Sequence, residues 1–368
     1  MASPHVRPAA ESIEIDGSRF HLIWLRDNCR CNFCQDSGTM QKLFDITATD
    51  LQPRVRNLCI DQDSVCITWD EAPLHESVYG RKWLQAHAYD KLSEMPEEQP
   101  PVELWHASRW TASPPPAYLP DSSTWHNYLN RLGFALLRDL PPESFLNFLR
   151  SIGPIQPTEF GDVAPLRASL NANDLGETGC HLDPHTDYSV YMHFPPVLSF
   201  LHCIRNDSDG GVSILVDGFA AAEHFRREDP AGFDLLACTR LPFHQLYGRW
   251  RYHHKRLRPM IELDEDGSIL GVHVGHPHTR NWRFPFDTMA PLYMAYSRFI
   301  RILNDASRQF YYRLQPNECL VFLNQRVLHG RTAFSPDAGE RHLQVAYVNW
   351  SYFAARRRFE DQRSSELV

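Results

Sequence analysis

The sequence predicts an α+β, mainly β protein: a small β-rich domain followed by a distorted double-stranded β-helix, or jelly roll, with flanking helices. Three observations carry this expectation. Short apolar runs broken by Gly, Pro and Asp dominate the chain between Leu166 and Tyr347. A few segments with helical spacing accompany them. A proline-rich stretch divides all of this from an N-terminal part with strands of its own.

In chain order, Ser12–Leu25 alternates Ile13, Ile15, Phe20, Leu22 and Trp24 about Asp16-Gly17, the pattern of a β-hairpin with a primed turn. Val65, Ile67 and Trp69 repeat the alternation, so residues 1–95 read as one small domain. Seven prolines fall between Pro96 and Pro120, fixing φ and removing backbone donors, so 96–120 reads as an extended linker. The catalytic-size remainder is 121–368. Asp121-Ser122-Ser123 caps a helix through Leu132, Gly133–Arg138 reads as a strand, and Pro142-Glu143 opens an amphipathic helix ending near Gly153. Leu292, Tyr296, Phe299, Ile300, Leu303 and Phe310 predict a long helix starting near Asp287.

At 368 residues the chain suits two domains. The 43% hydrophobic and 22% charged fractions are those of a globular protein. Thirty-seven Lys plus Arg against 45 Asp plus Glu give a net charge of −8. That balance speaks against nucleic acid or an anionic membrane as partner and favours a small molecule. No apolar run is long enough for a membrane span, and Met1–Ala10 lacks the apolar core of a secretory signal, so the cytoplasm is expected. Nine cysteines, an odd number, fit a reducing compartment. Six of them (Cys59, Cys66, Cys180, Cys203, Cys238, Cys319) are expected to be small buried hydrophobes.

The other three, Cys29, Cys31 and Cys34, fall close enough together to offer three thiolates to one ion. His75, just past the strand ending at Trp69, is a candidate fourth ligand, with His87 as the nearby alternative. Three sulfurs and an imidazole make a closed tetrahedral zinc site, able to hold together a domain whose own core is small.

The segment Gly179–Tyr188 contains His-x-Asp twice, at His181/Asp183 and His185/Asp187, and His329 follows the apolar strand Cys319–Leu323 far downstream. Two imidazoles and a carboxylate can occupy one face of iron(II), leaving positions for a co-substrate and O2. His185 and Asp187 lead into a run, Tyr188–Met192 and Pro195–Leu201, that reads as a strand pair, whereas His181 and Asp183 read as loop residues before a proline. Arg341, at the start of the alternation Leu343, Val345, Tyr347, is placed to project into the barrel and grip a carboxylate. Ser213 is a candidate hydroxyl for the same co-substrate.

At these residues the chain resembles the γ-butyrobetaine dioxygenase and trimethyllysine dioxygenase family, within the taurine dioxygenase-like superfamily. The resemblance runs through Leu25–Cys29, His75–Ser77, His185–Tyr188, Leu201–Ile204, Val216–Phe219, Leu328–Arg331 and Arg341–Leu343. It implies zinc on Cys29, Cys31, Cys34 and His75. It also implies Fe(II) on His185, Asp187 and His329, with 2-oxoglutarate held by Arg341. The activity it implies is hydroxylation of a small metabolite coupled to decarboxylation of 2-oxoglutarate to succinate, with ascorbate as an accessory reductant and a homodimer as the assembly.

The family's betaine members hold a trimethylammonium head in an aromatic cage. The corresponding positions here are Phe160, Ala164, Glu177 and Tyr347, only two of them aromatic, with Tyr188 beside the iron ligands and Asp174 nearby. Glu177 would offer a carboxylate to a less methylated or differently shaped amine, and Asp174, at the position where the family's butyrobetaine members place an amide and its trimethyllysine members an acid, would pair with an α-amino group; the plain alternative is that both are solvated loop acids. His276 and His278 are further candidates for the pocket wall. Trimethyllysine, butyrobetaine, trimethylaminoethylphosphonate and related amino compounds all fit this reading. A zinc-dependent scaffold that keeps the barrel without turnover, or an oxygenase of protein side chains, are the competing classes.

Overall fold

The computed structural model describes residues 11–48, 52–92, 102–168, 172, 174–191, 196–248, 250–275, 278–279 and 281–364. The chain divides into two compact units, Met1–Gln99 with Leu367–Val368, and Pro100–Glu366.

In the first unit β1 (Ser12–Ile15) and β2 (Ser18–His21) form the hairpin about Asp16-Gly17, both with positive φ as a primed turn requires. The hairpin stops at His21. Leu22–Asp27 is helix α1, so Leu22 and Trp24, read above as strand, are helical instead. Leu22 and Leu25 are both buried, at the i, i+3 spacing of one helix face, and two further steps of apparent alternation concealed it. A three-stranded antiparallel sheet follows: β3 (Val55–Ile60), β4 (Ser64–Trp69) and β5 (His75–Gly80), then helix α2 (Arg81–Ala86). Val65, Ile67 and Trp69 point inward at period two and pack with Phe20, Leu25 and Tyr79. The Trp69 indole donates to Ser77 Oγ at 2.8 Å, so the buried ring leaves no donor unpaired.

The second unit begins within the stretch read as a linker. Its described part is no free connector. Trp105 and Trp110 are buried, and β6 (Ala117–Tyr118) pairs in parallel, at the edge of the larger sheet, with the strand Phe134–Leu137. Prolines excluded regular structure there, but two tryptophans bury more apolar surface than a solvated tether can leave exposed.

Helix α3 (Thr124–Leu132) ends at Gly133 and is followed by β7 (Phe134–Leu137), helix α4 (Pro142–Ile152), β8 (Ala164–Leu166) and β9 (Leu182–His185). Next come β10 (Val197–Asn206), β11 (Ser213–Asp217), helices α5 (Gly218–Glu228) and α6 (Pro230–Cys238), and the hairpin of β12 (Leu241–Tyr247) and β13 (Tyr252–Arg258). The chain continues through β14 (Ile261–Leu263), β15 (Ile269–Val272), helix α7 (Phe286–Leu303), β16 (Phe310–Tyr312), β17 (Cys319–Leu323), β18 (Val327–Arg331), β19 (Arg341–Asn349) and helix α8 (Trp350–Ser364). Phe310, counted above into the long helix, lies in β16, because α7 ends at Leu303.

Two sheets make the jelly roll, one ordered β6-β7-β17-β10-β19-β8 and the other β16-β11-β18-β9. The six-stranded sheet is buried on both faces, and its alternation sends successive residues into different cores. Ala135, Leu198, Phe200, Val321 and Ala346 pack under α3, α4 and α8 with Trp125 and Phe353. Phe134, Leu201, Leu320, Phe322 and Leu343 face the other sheet with Leu215 and Val327. A third core joins α5, α6 and α7 to the β12–β15 region. Asp217 caps α5 through Phe219 N (3.1 Å) and forms a fully buried pair with Arg326 (3.0 Å). Arg326 also donates to the carbonyls of Arg131 (3.0 Å) and Glu103 (2.6 Å), so its charge is fully coordinated.

The scattered cysteines divide. Cys203 and Cys319 are buried as expected, but Cys66 is only half-buried, and Cys59, Cys180 and Cys238 are exposed, lying on an edge strand, in a loop and at a helix end. No helix among the described residues is long and apolar enough to cross a membrane.

Candidate active site and metal centres

Strand β9 lies against β18, with His185 directly opposite His329. Gly330 permits this approach, since a Cβ there would sit 2.4 Å from the Leu182 carbonyl oxygen on β9. Beyond His185 the chain does not continue as a strand. Asp187–Val190 form a turn with Tyr188 at φ +58°, which corrects the strand expected over Tyr188–Met192; Met192–Pro195 lie outside the described residues. Asp183 belongs to β9 rather than a loop, but its exposed carboxylate pairs outward with His181 at 3.2 Å.

His185, Asp187 and His329 bring their ligand atoms within 4.8 Å of one another. Each Nε2 lies 3.5 Å from a different oxygen of Asp187. His185 Nδ1 donates to the Asp183 carbonyl at 2.9 Å, which turns the Nε2 lone pair toward the carboxylate. Asn324, which the sequence reading did not single out, clamps the third ligand: its side chain accepts from Asp187 N and donates to Asp187 O, both at 3.0 Å. Thr186 is tied to the end of β15 and the residues after it through Val274 O and Val272 O, each at 2.7 Å. Tyr347 donates to Asp187 Oδ2 at 2.8 Å.

Burial alone would push the Asp187 carboxyl up, but His329, then His185 and Tyr347, outweigh it and hold it well below the usual range. Burial lowers His329 to about 4, keeping that imidazole neutral. For His185 burial works the same way, yet Asp187 overcomes it and raises the group above its ordinary value. Two neutral-capable imidazoles aimed at one ionised carboxylate suit a dication, which would displace the proton His185 otherwise holds.

Arg341 opens β19 and is only 6% exposed. Gly211 makes room for its stem: at φ +64° it lacks the Cβ that would sit 2.7 Å from Arg341 Cδ. Among the described residues Arg341 makes one hydrogen bond, Nε to the Gly211 carbonyl at 3.2 Å. Its terminal NH2 groups are thus available. Burial, and then the neighbouring Arg331, lower it to about 10, still cationic at neutral pH. Arg331 is a second buried guanidinium, but its donors are taken by the carbonyls of Leu175, Gly176, Thr178 and Cys180. Ser213 is buried on β11 opposite Arg331 and Tyr312, with no hydrogen bond to Arg341 among the described residues.

The expected cage positions separate. Tyr347 stacks edge-on to Tyr188 at 5.0 Å, next to Asp187, and Phe160 meets Tyr247 at 6.0 Å and Trp250 at 4.9 Å. Ala164 is buried in β8 opposite Val345. Glu177 sits in the short 3-10 turn Leu175–Glu177 that Arg331 grips. Asp174 caps that turn, accepting from Gly176 N (2.7 Å) and from Gln245 (2.8 Å). His278 is half-buried, and desolvation lowers it to about 4, with Asp174, His185 and Asp187 as charged neighbours. His276 lies outside the described residues. Beyond Tyr188 a cavity of ≈ 310 Å³ is lined in part by Glu159, Tyr191, Tyr252 and His254. The sequence reading missed Glu159, Tyr191, Tyr247 and Trp250; the Tyr247–Tyr252 aromatic run was the available signal.

In the first unit His75 Nε2 lies 3.2, 3.6 and 3.5 Å from the sulfurs of Cys29, Cys31 and Cys34. A tetrahedron with Zn–S of about 2.3 Å and Zn–N of about 2.0–2.1 Å puts sulfur and nitrogen about 3.6 Å apart, so the four ligands fit zinc. His87 is elsewhere, stacked on Trp83 at 4.3 Å. Arg26 donates to Cys34 Sγ at 3.3 Å and is itself fixed by Glu71 at 2.9 Å. Burial pushes the Cys34 thiol up to about 12, a bias that a bound dication reverses by claiming the thiolate.

A jelly roll carrying two histidines and a carboxylate, with a buried arginine on the strand after the distal histidine, defines a class: the 2-oxoglutarate-dependent dioxygenases. The sequence profile of "Taurine catabolism dioxygenase TauD, TfdA family" matches residues 98–347, and that of "Gamma-butyrobetaine hydroxylase-like, N-terminal" matches residues 13–85. The chain belongs to the TauD/TfdA dioxygenase family. It is 33% identical to the γ-butyrobetaine dioxygenase of Pseudomonas sp. (strain AK-1), over 90% of this chain and 88% of that one. It is 28% identical to the human γ-butyrobetaine dioxygenase and 27% identical to the trimethyllysine dioxygenase of Meyerozyma guilliermondii, in each case over 94% of this chain and 92% of the relative.

Proposed function

We propose that this chain is a hydroxylase of a small amine or betaine-type metabolite. In this reading His185, Asp187 and His329 hold Fe(II), Arg341 holds the distal carboxylate of 2-oxoglutarate, and Cys29, Cys31, Cys34 and His75 hold a structural zinc ion. The observation that carries it is the aim of two Nε2 atoms at the two oxygens of Asp187, 3.5 Å each. The names of the relatives, γ-butyrobetaine and trimethyllysine dioxygenase, support the substrate class.

Ferrous iron bound there supplies the coupling of O2 and 2-oxoglutarate to C–H hydroxylation: one oxygen atom goes into succinate as CO2 leaves, the other into the substrate. The residues do the rest. Asn324 fixes the Asp187 backbone through its N–H and carbonyl, while Tyr347 donates to one carboxylate oxygen, so together they set how the carboxylate is presented. Arg341 offers a planar pair of donors to a carboxylate in a site with little water to compete. Tyr188, Tyr347 and Phe160 supply aromatic faces for a cationic head.

The test is succinate release, with Fe(II) and 2-oxoglutarate, against a panel of amines, betaines, aminophosphonates and sulfonates. Release stimulated by cationic amines is expected; release with taurine-like sulfonates alone would overturn the substrate class. In the same assay Arg341→Lys is expected to raise KM for 2-oxoglutarate roughly ten- to 150-fold, corresponding to about 1.5–3 kcal/mol for a lost bidentate contact. An unchanged KM would remove Arg341 from the co-substrate site.

A further inference from the structure

We infer that Glu159 receives the ammonium of the substrate, and that the site favours an amine keeping at least one N–H over a quaternary one. This rests on the oxygenase reading above and adds the chemistry of the substrate head.

The rings between Asp187 and the hairpin of β12 and β13 form a continuous wall. Tyr347 meets Tyr188 at 5.0 Å, Tyr188 meets Tyr191 at 4.9 Å, and Tyr191 stacks on His254 at 4.2 Å. Tyr247 then joins His254 to Trp250 and Phe160. A wall of π-faces attracts any cation, quaternary or not.

Glu159 changes that neutrality. It lines the cavity, and its Oε1 is buried with no hydrogen-bond partner among the described residues. Tyr191 hydrogen-bonds the carboxylate, which leaves Oε1 as its unused oxygen, and burial first, then Glu159, pushes the Tyr191 and Tyr247 hydroxyls above their ordinary range. Asp174, the other acid nearby, already uses one oxygen on Gly176 N and the other on Gln245. Of the two, Glu159 is the one with an acceptor to spare.

A carboxylate oxygen withdrawn from water and left unpaired is costly, and a ligand that pairs it recovers that cost on binding. A trimethylammonium brings charge but no donor. An ammonium with an N–H brings both, in a charge-assisted hydrogen bond. A site built around such a bond rejects the analogue that lacks the donor.

The probes are 4-aminobutyrate and its mono-, di- and trimethylammonium forms, measured by equilibrium binding and by succinate release from the iron-loaded full chain. The wild type is expected to bind the N–H-bearing members at least about tenfold more tightly than the trimethyl form. Glu159→Gln should lose that preference, and Glu159→Asp should keep part of it. Tightest binding of the trimethyl form by the wild type, an unchanged preference in Glu159→Gln, or no binding of any member would each overturn the inference. The anaerobic visible band of the wild type with Fe(II) and 2-oxoglutarate separates the two levels. If the band forms, these outcomes defeat only the role of Glu159; if it does not, the oxygenase reading falls and this inference with it.

Discussion

Asp187→Ala is expected to lower substrate-dependent succinate formation by about a thousandfold or more, because the carboxylate lies within 3.5 Å of both imidazoles and is the only anion among the three candidate ligands. A metal's Lewis-acid contribution of several kcal/mol, at about 1.4 kcal/mol per tenfold, sets that scale. A graded arm keeps the test specific. Tyr347→Phe removes one hydrogen bond to Asp187 and leaves the ligands, so iron affinity should fall by about ten- to a hundredfold while turnover recovers at saturating iron. The readout is an anaerobic iron titration in the presence of 2-oxoglutarate, followed by its visible band.

The pH dependence has a definite sign. Asp187 raises His185 above its ordinary value, so protons and iron compete for that imidazole, and iron affinity should decline as pH falls through the raised value. Turnover of Asp187→Ala within tenfold of wild type would sink the assignment.

Cys34→Ser is expected to release zinc and unfold the first unit. Its core is small: the fully buried apolar residues number few beyond Phe20, Leu25, Val65, Ile67, Trp69, Tyr79 and Leu84. Structural zinc contributes an apparent free energy of about 10–16 kcal/mol in small zinc-folded units at neutral pH, comparable to a whole domain's stability. Arg26 sharpens the dependence, since its guanidinium is buried against Cys34 Sγ at 3.3 Å and loses an anionic partner when the thiolate is gone. The expected result is about one zinc per chain in the wild type and none in the variant, with loss of the near-ultraviolet signal of Trp24, Trp69 and Trp83. Zinc content and melting unchanged in Cys34→Ser would refute a structural metal.

Much of the fold was legible because burial imposes a period. The inward alternation of β4, the continuous apolar run of β17 buried on both faces, and the helical spacing of α7 are consequences of backbone geometry, written directly into residue order. Errors arose where two periods overlap over a short window. Leu22 and Leu25 suited either a strand or a single helical turn, and Phe310 continued a helical count beyond the end of α7. The turn at Tyr188 was not visible either, because a positive φ at a tyrosine has no sequence signature.

By itself the sequence picked out the candidate donors: three clustered thiols with an imidazole, two imidazoles with a carboxylate, and a guanidinium on the following strand. Those groups are recognised by type and spacing, and metals select ligands by type. Only the tertiary structure decided which neutral residues aim those donors and which aromatic rings come together beside them. Asn324 reaches Asp187 across 137 positions of chain, and the Phe160 ring comes within 4.9 Å of Trp250 from a hairpin far downstream. Such pairings follow from how sheets stack and loops close, and a hydrogen bond or an apolar contact made that way leaves no local pattern in the order of residues.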